Sequence, residues 1–174
     1  MPMRQSTLRG EGFLLRPPRA EDAESIALHA NDIEIAANLR DRFPHPYSLT
    51  DAQAFIRFAQ EAEEIIFVIE VEGEAAGSIG LTPGADVEHS SAELGYWLAR
   101  KHWGKGLMTR AVEAITEWGF SRLELTRIFA RPYVENVASI RVLEKCGYAC
   151  EGRLQKVAMR NGVARDFYLY AKVR

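Results

Sequence analysis

Cysteine is scarce in these 174 residues: Cys146 and Cys150 are the only two, no C-x-x-C pair occurs, and the four histidines are scattered. That excludes a disulfide-built scaffold and leaves no spacing suited to structural zinc. An excess of either charge is missing too. The formal net charge is −2, which gives no support to nucleic acid or a membrane surface as a general partner. No long uncharged apolar run exists, and residues 1–10 lack the apolar centre of a secretory signal. The expectations are a cytoplasmic chain with reduced thiols, no metal, and no membrane or nucleic-acid partner. Prolines and glycines are not gathered into linkers, repeats are absent, and the length suits one domain across 1–174.

What is present alternates between helical and strand patterns. Residues 13–16 read as a short strand stopped by Pro17-Pro18, and 20–30 as a helix with Ala23, Ile26, Ala27 and Ala30 on one face. A second short helix is expected over 33–39, and a loop over 42–48 around Pro44 and Pro46. Thr50-x-x-Gln53 has the form of a capping box before the apolar spacing of Phe55, Phe58, Ala59 and Ala62. Residues 65–71 and 75–81 read as strands about a Glu72-Gly73-Glu74 turn, and another strand runs through Leu98. Met108, Ala111, Val112, Ile115 and Trp118 form a helical stripe, and 127–131 is a further strand ended by Pro132. A helix over 137–146 stops at Gly147, and Asn161-Gly162 joins two closing strands over 149–160 and 164–173.

Two segments carry the chemistry. The first, Trp103-Gly104-Lys105-Gly106-Leu107-Met108-Thr109-Arg110, follows an alternating strand and opens a helix. That is where unpaired amides at a helix N-terminus meet a phosphate. From Leu94 to Val112 no acidic residue occurs, while Arg100, Lys101, Lys105 and Arg110 do, so the local field suits a polyanion. A Walker loop is excluded because Gly106 is followed by Leu107-Met108, and a dinucleotide fingerprint because Thr109 stands at the third glycine. The second segment is Asn136-Val137-Ala138-Ser139-Ile140-Arg141-Val142-Leu143-Glu144-Lys145-Cys146-Gly147-Tyr148.

Together and in this order, the two segments resemble the motifs of the GNAT superfamily of N-acyltransferases, most nearly its Rim-type ribosomal-protein branch. The resemblance implies a mixed, mostly antiparallel sheet flanked by helices in an α/β fold, and acetyl-CoA as co-substrate. Acetyl transfer to a primary amine, either a protein N-terminus or a small amine, would follow by direct attack. The alternative is a coenzyme A-binding regulatory module without catalysis, because Leu143 stands where many relatives carry a tyrosine acid. Monomer or homodimer remains open.

By the same resemblance, Trp97, Leu98 and Ala99 face pantetheine. Trp103, Gly104, Lys105, Gly106, Leu107, Met108, Thr109 and Arg110 wrap the pyrophosphate, and Asn136 contacts the coenzyme amides while capping its helix. Glu93 is the best proton acceptor, and alternation puts it on the face of Gly95 and Trp97, opposite Ala92, Leu94, Tyr96 and Leu98. It could act as base, position the amine, or pair with an arginine of the sheet. Ser139 could donate to the departing thiolate, with Tyr148 in reserve; Cys146 is expected to be buried and inert. Asn38, Arg40, Phe43, Tyr47 and Tyr168 are candidates for the acceptor groove.

Overall fold

The computed structural model describes residues 7–174. Among these residues, eight strands form one sheet in the order β1-β2-β3-β4-β5-β6-β8-β7. They are β1 (Leu8–Gly10), β2 (Phe13–Arg16), β3 (Ile65–Val71), β4 (Glu74–Pro83), β5 (Ser91–Leu98), β6 (Arg127–Ala130), β7 (Ala149–Arg160) and β8 (Val163–Val173). Every pairing is antiparallel except β5 with β6. The helices are α1 (Ala23–Ala30), α2 (Ile33–Ala36), α3 (Leu49–Glu61), α4 (Leu107–Arg122) and α5 (Val137–Lys145). This is the expected mixed sheet flanked by helices, with one strand more at its start.

The pleat sorts side chains onto two apolar layers. On one face Val68, Ala75 and Trp97 meet Ala23, Ile26 and Ala30 of α1, Ile35 of α2, and Ala52 and Ile56 of α3. On the other, Phe67, Ile79, Leu81, Leu94 and Leu98 meet Leu107, Ala111, Val112 and Ile115 of α4 and Leu143 of α5. Each large apolar side chain enclosed this way contributes about 1.5–3 kcal/mol.

Local details differ from the expectations. Helix α3 begins earlier than the Thr50–Gln53 box implies: Ser48 is the N-cap, its hydroxyl accepts the Asp51 N–H, and the Asp51 carboxylate accepts the Ser48 N–H. The two boxes overlap, and the first pair capable of reciprocal bonding sets the start. Residues 20–22 form a 3-10 turn leading into α1, and α2 ends at Ala36 rather than Leu39.

The first sheet face is anchored by a buried ion cluster. Arg16 at the end of β2 grips Asp22 with two hydrogen bonds of 2.8 and 2.7 Å, and its Nε donates to Glu70 of β3 at 2.5 Å. The Arg16 and Asp22 side chains are 4% and 7% exposed, so removing one partner strands the other in a poorly solvated site. Burial opposes the charge on Asp22, but hydrogen bonds from Arg16 and the Arg19 N–H outweigh it and hold the carboxyl below its usual range. Its contribution to stability is therefore complete above the ordinary carboxylate pKa and is lost as pH falls through the depressed value. We expect Asp22→Asn to cost about 3–5 kcal/mol in urea unfolding at neutral pH. The difference from wild type should shrink in strong acid. A variant as stable as wild type at pH 7 would show the cluster to be dispensable.

Candidate active site

The site arises where the sheet comes apart. Strand β5 pairs with β6 only through Ser91, Ala92 and Glu93, opposite Arg127, Ile128 and Phe129. After Ala130 the chain reaches Pro132, which has no N–H to offer a ladder, and stays with β8. The Tyr168 N–H donates to Pro132 O at 2.9 Å and the Val134 N–H to Asp166 O at 3.2 Å. The two parallel strands thus part beyond Glu93, and a cleft of about 1210 Å³ opens between them, running from the loop after α2 to the start of α4.

At one end lies the loop before α4. Gly104 and Gly106 have φ of +72° and +70°, left-handed values that cost most L-residues about 1–2 kcal/mol. Gly106 is the N-cap of α4 and brings no capping side chain, and no acidic residue occupies the first turn. Among the described residues, the amides of Gly104 through Thr109 donate to no protein acceptor. They form an open set of donors at a positive helix end. His102 completes the wall: its side chain is buried, its Nε2 has no hydrogen-bond partner, and it lines the cleft. Burial, reinforced by Lys101 and Lys105, keeps its imidazole below the usual pKa.

The expected coenzyme contacts divide. Trp97, Leu98, Trp103, Gly104, Gly106, Leu107, Met108, Thr109 and Asn136 all line the cleft, whereas Ala99, Lys105 and Arg110 are not among its lining. Ala99 is buried and its N–H donates to Ala76 O at 2.7 Å. The Arg110 guanidinium bridges two turns, donating from Nε to Glu11 O at 3.2 Å and from Nη1 to Lys105 O at 3.4 Å. The Leu98 carbonyl already accepts the Trp103 indole N–H at 2.8 Å.

In the middle stands a hydroxyl pair that the sequence did not suggest. Asn136 caps α5 by accepting the Ser139 N–H at 3.2 Å. The Ser139 hydroxyl lies 2.7 Å from the hydroxyl of Tyr96, which crosses the split from β5. Burial raises the Tyr96 pKa above its ordinary value, so the phenol keeps its proton. Leu143 and Tyr148 face the core; the Tyr148 hydroxyl pairs with Thr116 at 2.7 Å, and burial pushes it up to about 12. Cys146 is buried, its thiol donates to Thr109 O at 3.3 Å, and burial pushes its pKa up to about 11.

At the far end, Glu93 projects to the α1–α3 side of the sheet and is gripped by two arginines. Arg131 donates from Nε at 3.1 Å and from Nη2 at 2.7 Å, and Arg40 donates from Nη2 at 2.6 Å. Burial pulls the Glu93 pKa up, but hydrogen bonds from Arg131 and Arg40 outweigh it and hold the group below the usual carboxylate range. Asn38, Phe43 and Tyr47 line this end, but Tyr168 does not; its ring packs edge-on against Tyr170. Arg160 at the tip of the β7–β8 hairpin donates to Leu39 O, and to Ala36 O at 2.7 Å. These bonds fix the short segment that carries Arg40.

Known proteins agree with this architecture. A family model described as an acetyltransferase (GNAT) domain matches residues 13–149. The uncharacterized N-acetyltransferase YoaA of Bacillus subtilis is 32% identical over 171 residues, covering 96% of each chain. The spermidine N(1)-acetyltransferase of Escherichia coli is 29% identical, covering 87% of this chain and 81% of its own. Among solved structures, the microcin C7 self-immunity acetyltransferase MccE, in complex with acetyl-CoA and AMP, superposes with a TM-score of 0.81. It is 27% identical over 95% of this chain and 94% of its own.

The loop makes a sharp prediction. In Gly106→Val a branched side chain must adopt a positive φ, and its Cβ would sit 3.1 Å from Arg110 Nη1. Calorimetry should show acetyl-CoA binding lost, while far-UV circular dichroism stays that of wild type. Normal binding would mean that the donors of this loop do not hold the phosphates.

Proposed function

The chain belongs to the GNAT acetyltransferase family and is an acetyl-CoA-dependent N-acetyltransferase; from that premise we propose how its residues divide the reaction. The observation that carries the reading is the split between β5 and β6, with an open ring of amides at one end and a carboxylate among arginines at the other. When bound, acetyl-CoA supplies an acyl group activated as a thioester. The left-handed glycines leave room for its pyrophosphate, and the amides from Gly104 to Thr109 hold it. Trp97 and Leu98 flank the pantetheine arm, and Asn136 contacts it from the opposite wall.

Glu93 holds the acceptor amine. It accepts a hydrogen bond from the nitrogen and aims the lone pair at the thioester carbonyl, and the ammonium proton leaves to water. An N–C bond then forms and the C–S bond breaks, directly and without an acyl-enzyme; the nitrogen gives up its second proton to solvent, and the departing thiolate is protonated from solvent to free coenzyme A. Ser139 takes a hydrogen bond from Tyr96 and is left with its own proton to point at the departing sulfur. Tyr96 is a positioning residue here, because its raised pKa makes it a poor acid but a steady donor. We place one acyl-transfer domain across 1–174, working in the cytoplasm on a small amine or a protein N-terminus, as a monomer or homodimer and without nucleic acid. No observation favours a coenzyme-binding module that lacks catalysis.

A depressed carboxylate is ionised throughout the neutral range, so Glu93 cannot set the acidic limb of the rate profile. We expect kcat/KM to rise with pH along the titration of the acceptor amine. Glu93→Gln should lower the rate roughly 10²-fold through lost orientation of the amine without moving the midpoint. A midpoint that shifts or vanishes would make Glu93 a titrating base instead of an amine holder.

Ser139→Ala tests the other end of the reaction. Loss of one donor to the leaving sulfur should reduce kcat by roughly 10²-fold and leave the dissociation constant for acetyl-CoA as it was. Unchanged kcat would remove Ser139, and with it Tyr96, from the mechanism.

A further inference from the structure

Glu93 does not exhaust the two guanidinium groups that hold it. A guanidinium carries five N–H donors in a fixed fork. Arg131 spends Nε and Nη2 on Glu93, and Arg40 spends only Nη2. Among the described residues, Nε and Nη1 of Arg40 and Nη1 of Arg131 make no hydrogen bond. Each also lies against an aromatic ring. Arg40 lies over the Phe167 ring at 5.6 Å and Arg131 over the Phe129 ring at 6.0 Å. Both arginines also line a second cavity, of about 320 Å³, on the hairpin side. The result is a preformed row of charges, positive, negative, positive, with donors to spare on the outer members.

The rest of this end of the cleft has little for a polycation. Its other carboxylates are engaged: Asp51 caps α3 through Ser48, and Glu64 faces Arg42 at 3.5 Å. Between them stands an aromatic wall. Phe43 meets Tyr47 at 4.9 Å and Trp97 edge-on at 5.7 Å between ring centroids.

We propose, building on the transferase reading above, that the acceptor is a free α-amino acid, bound as a zwitterion by the Arg40–Glu93–Arg131 row. Its ammonium nitrogen sits on Glu93. Its carboxylate, two bonds from that nitrogen, takes the spare donors of Arg40 and Arg131, and its side chain lies against Phe43 and Trp97. A peptide N-terminus presents an amide where the carboxylate is needed, and a polyamine presents a second cation to two arginines. Both leave charged donors unpaired or opposed.

The test measures thiol release from acetyl-CoA with the twenty L-amino acids, each alongside its α-carboxamide, and with spermidine. Wild type is compared with Arg40→Gln and Arg40→Lys. The expected best acceptor is a free amino acid, favoured over its own carboxamide by roughly 10–100-fold in kcat/KM. A carboxamide's amine loses its proton more readily, so this preference runs against intrinsic reactivity. Arg40→Gln should bring the ratio close to one, and Arg40→Lys should restore part of it. A carboxamide or spermidine as best acceptor, or a ratio indifferent to Arg40, overturns the proposal.

If nothing in the panel is turned over, the same compounds are titrated calorimetrically into protein saturated with coenzyme A. Amino-acid binding that disappears in Arg40→Gln would keep the zwitterion site and discard the transfer chemistry. Absence of binding by every amino acid would discard the site itself.

Discussion

Beyond Glu93, the backbone of β5 has a strand neighbour on one side only. A sheet tolerates such an interruption only if the freed peptide groups meet water, a side chain or a ligand, because unpaired groups shut away from water are costly. Everything about this site follows from how the chain manages that interruption. Pro132 and the hydrogen bonds to β8 lead one strand away. Tyr96 reaches into the gap to Ser139, and the Trp103 indole covers the Leu98 carbonyl. What stays uncovered is a slot of backbone donors and acceptors between two rigid, well-packed strands. A site built in this way is positioned by the core, not by loops.

The two ends of the slot use electrostatics differently. At the α4 end, positive potential comes from the backbone: left-handed glycines turn the amides outward, and no carboxylate occupies the first turn of the helix. The cationic side chains contribute less than their number implies, since Arg110 is engaged by the Glu11 and Lys105 carbonyls. At the Glu93 end the charges belong to side chains and are balanced against one another. The pairing that lowers the Glu93 pKa makes it a poor proton store, yet it fixes the carboxylate in place. A carboxylate that must orient an amine benefits from being held, whereas a base benefits from being raised.

Much of this was legible in the sequence. The alternation from Ala92 to Leu98 put Glu93 and Trp97 on one face and Tyr96 on the other, as the two core layers confirm. The glycine spacing located the turn before α4 because few residues tolerate its backbone angles. The clauses that failed were those that needed contacts. Leu8–Gly10 is too short for a period to register. Ser48-x-x-Asp51 and Thr50-x-x-Gln53 compete within six residues, and only the fold chooses. Arg40 and Arg131 lie 53 and 38 positions from Glu93, and no local pattern announces such a meeting. Alternation placed Tyr96 on its strand face without a role, because its partner, Ser139, comes from a helix 43 positions away.

The central claim is that the opened edge of β5 and the amides before α4 receive one extended thioester ligand. A crystal structure of the protein grown with acetyl-CoA tests it most directly. The account predicts pantetheine between β5 and β6 beside Trp97 and Leu98, with the pyrophosphate within hydrogen-bond reach of the amides from Gly104 to Thr109 and the acetyl group on the Glu93 side of Ser139. Coenzyme bound elsewhere on the molecule, with the split left to solvent, would contradict it.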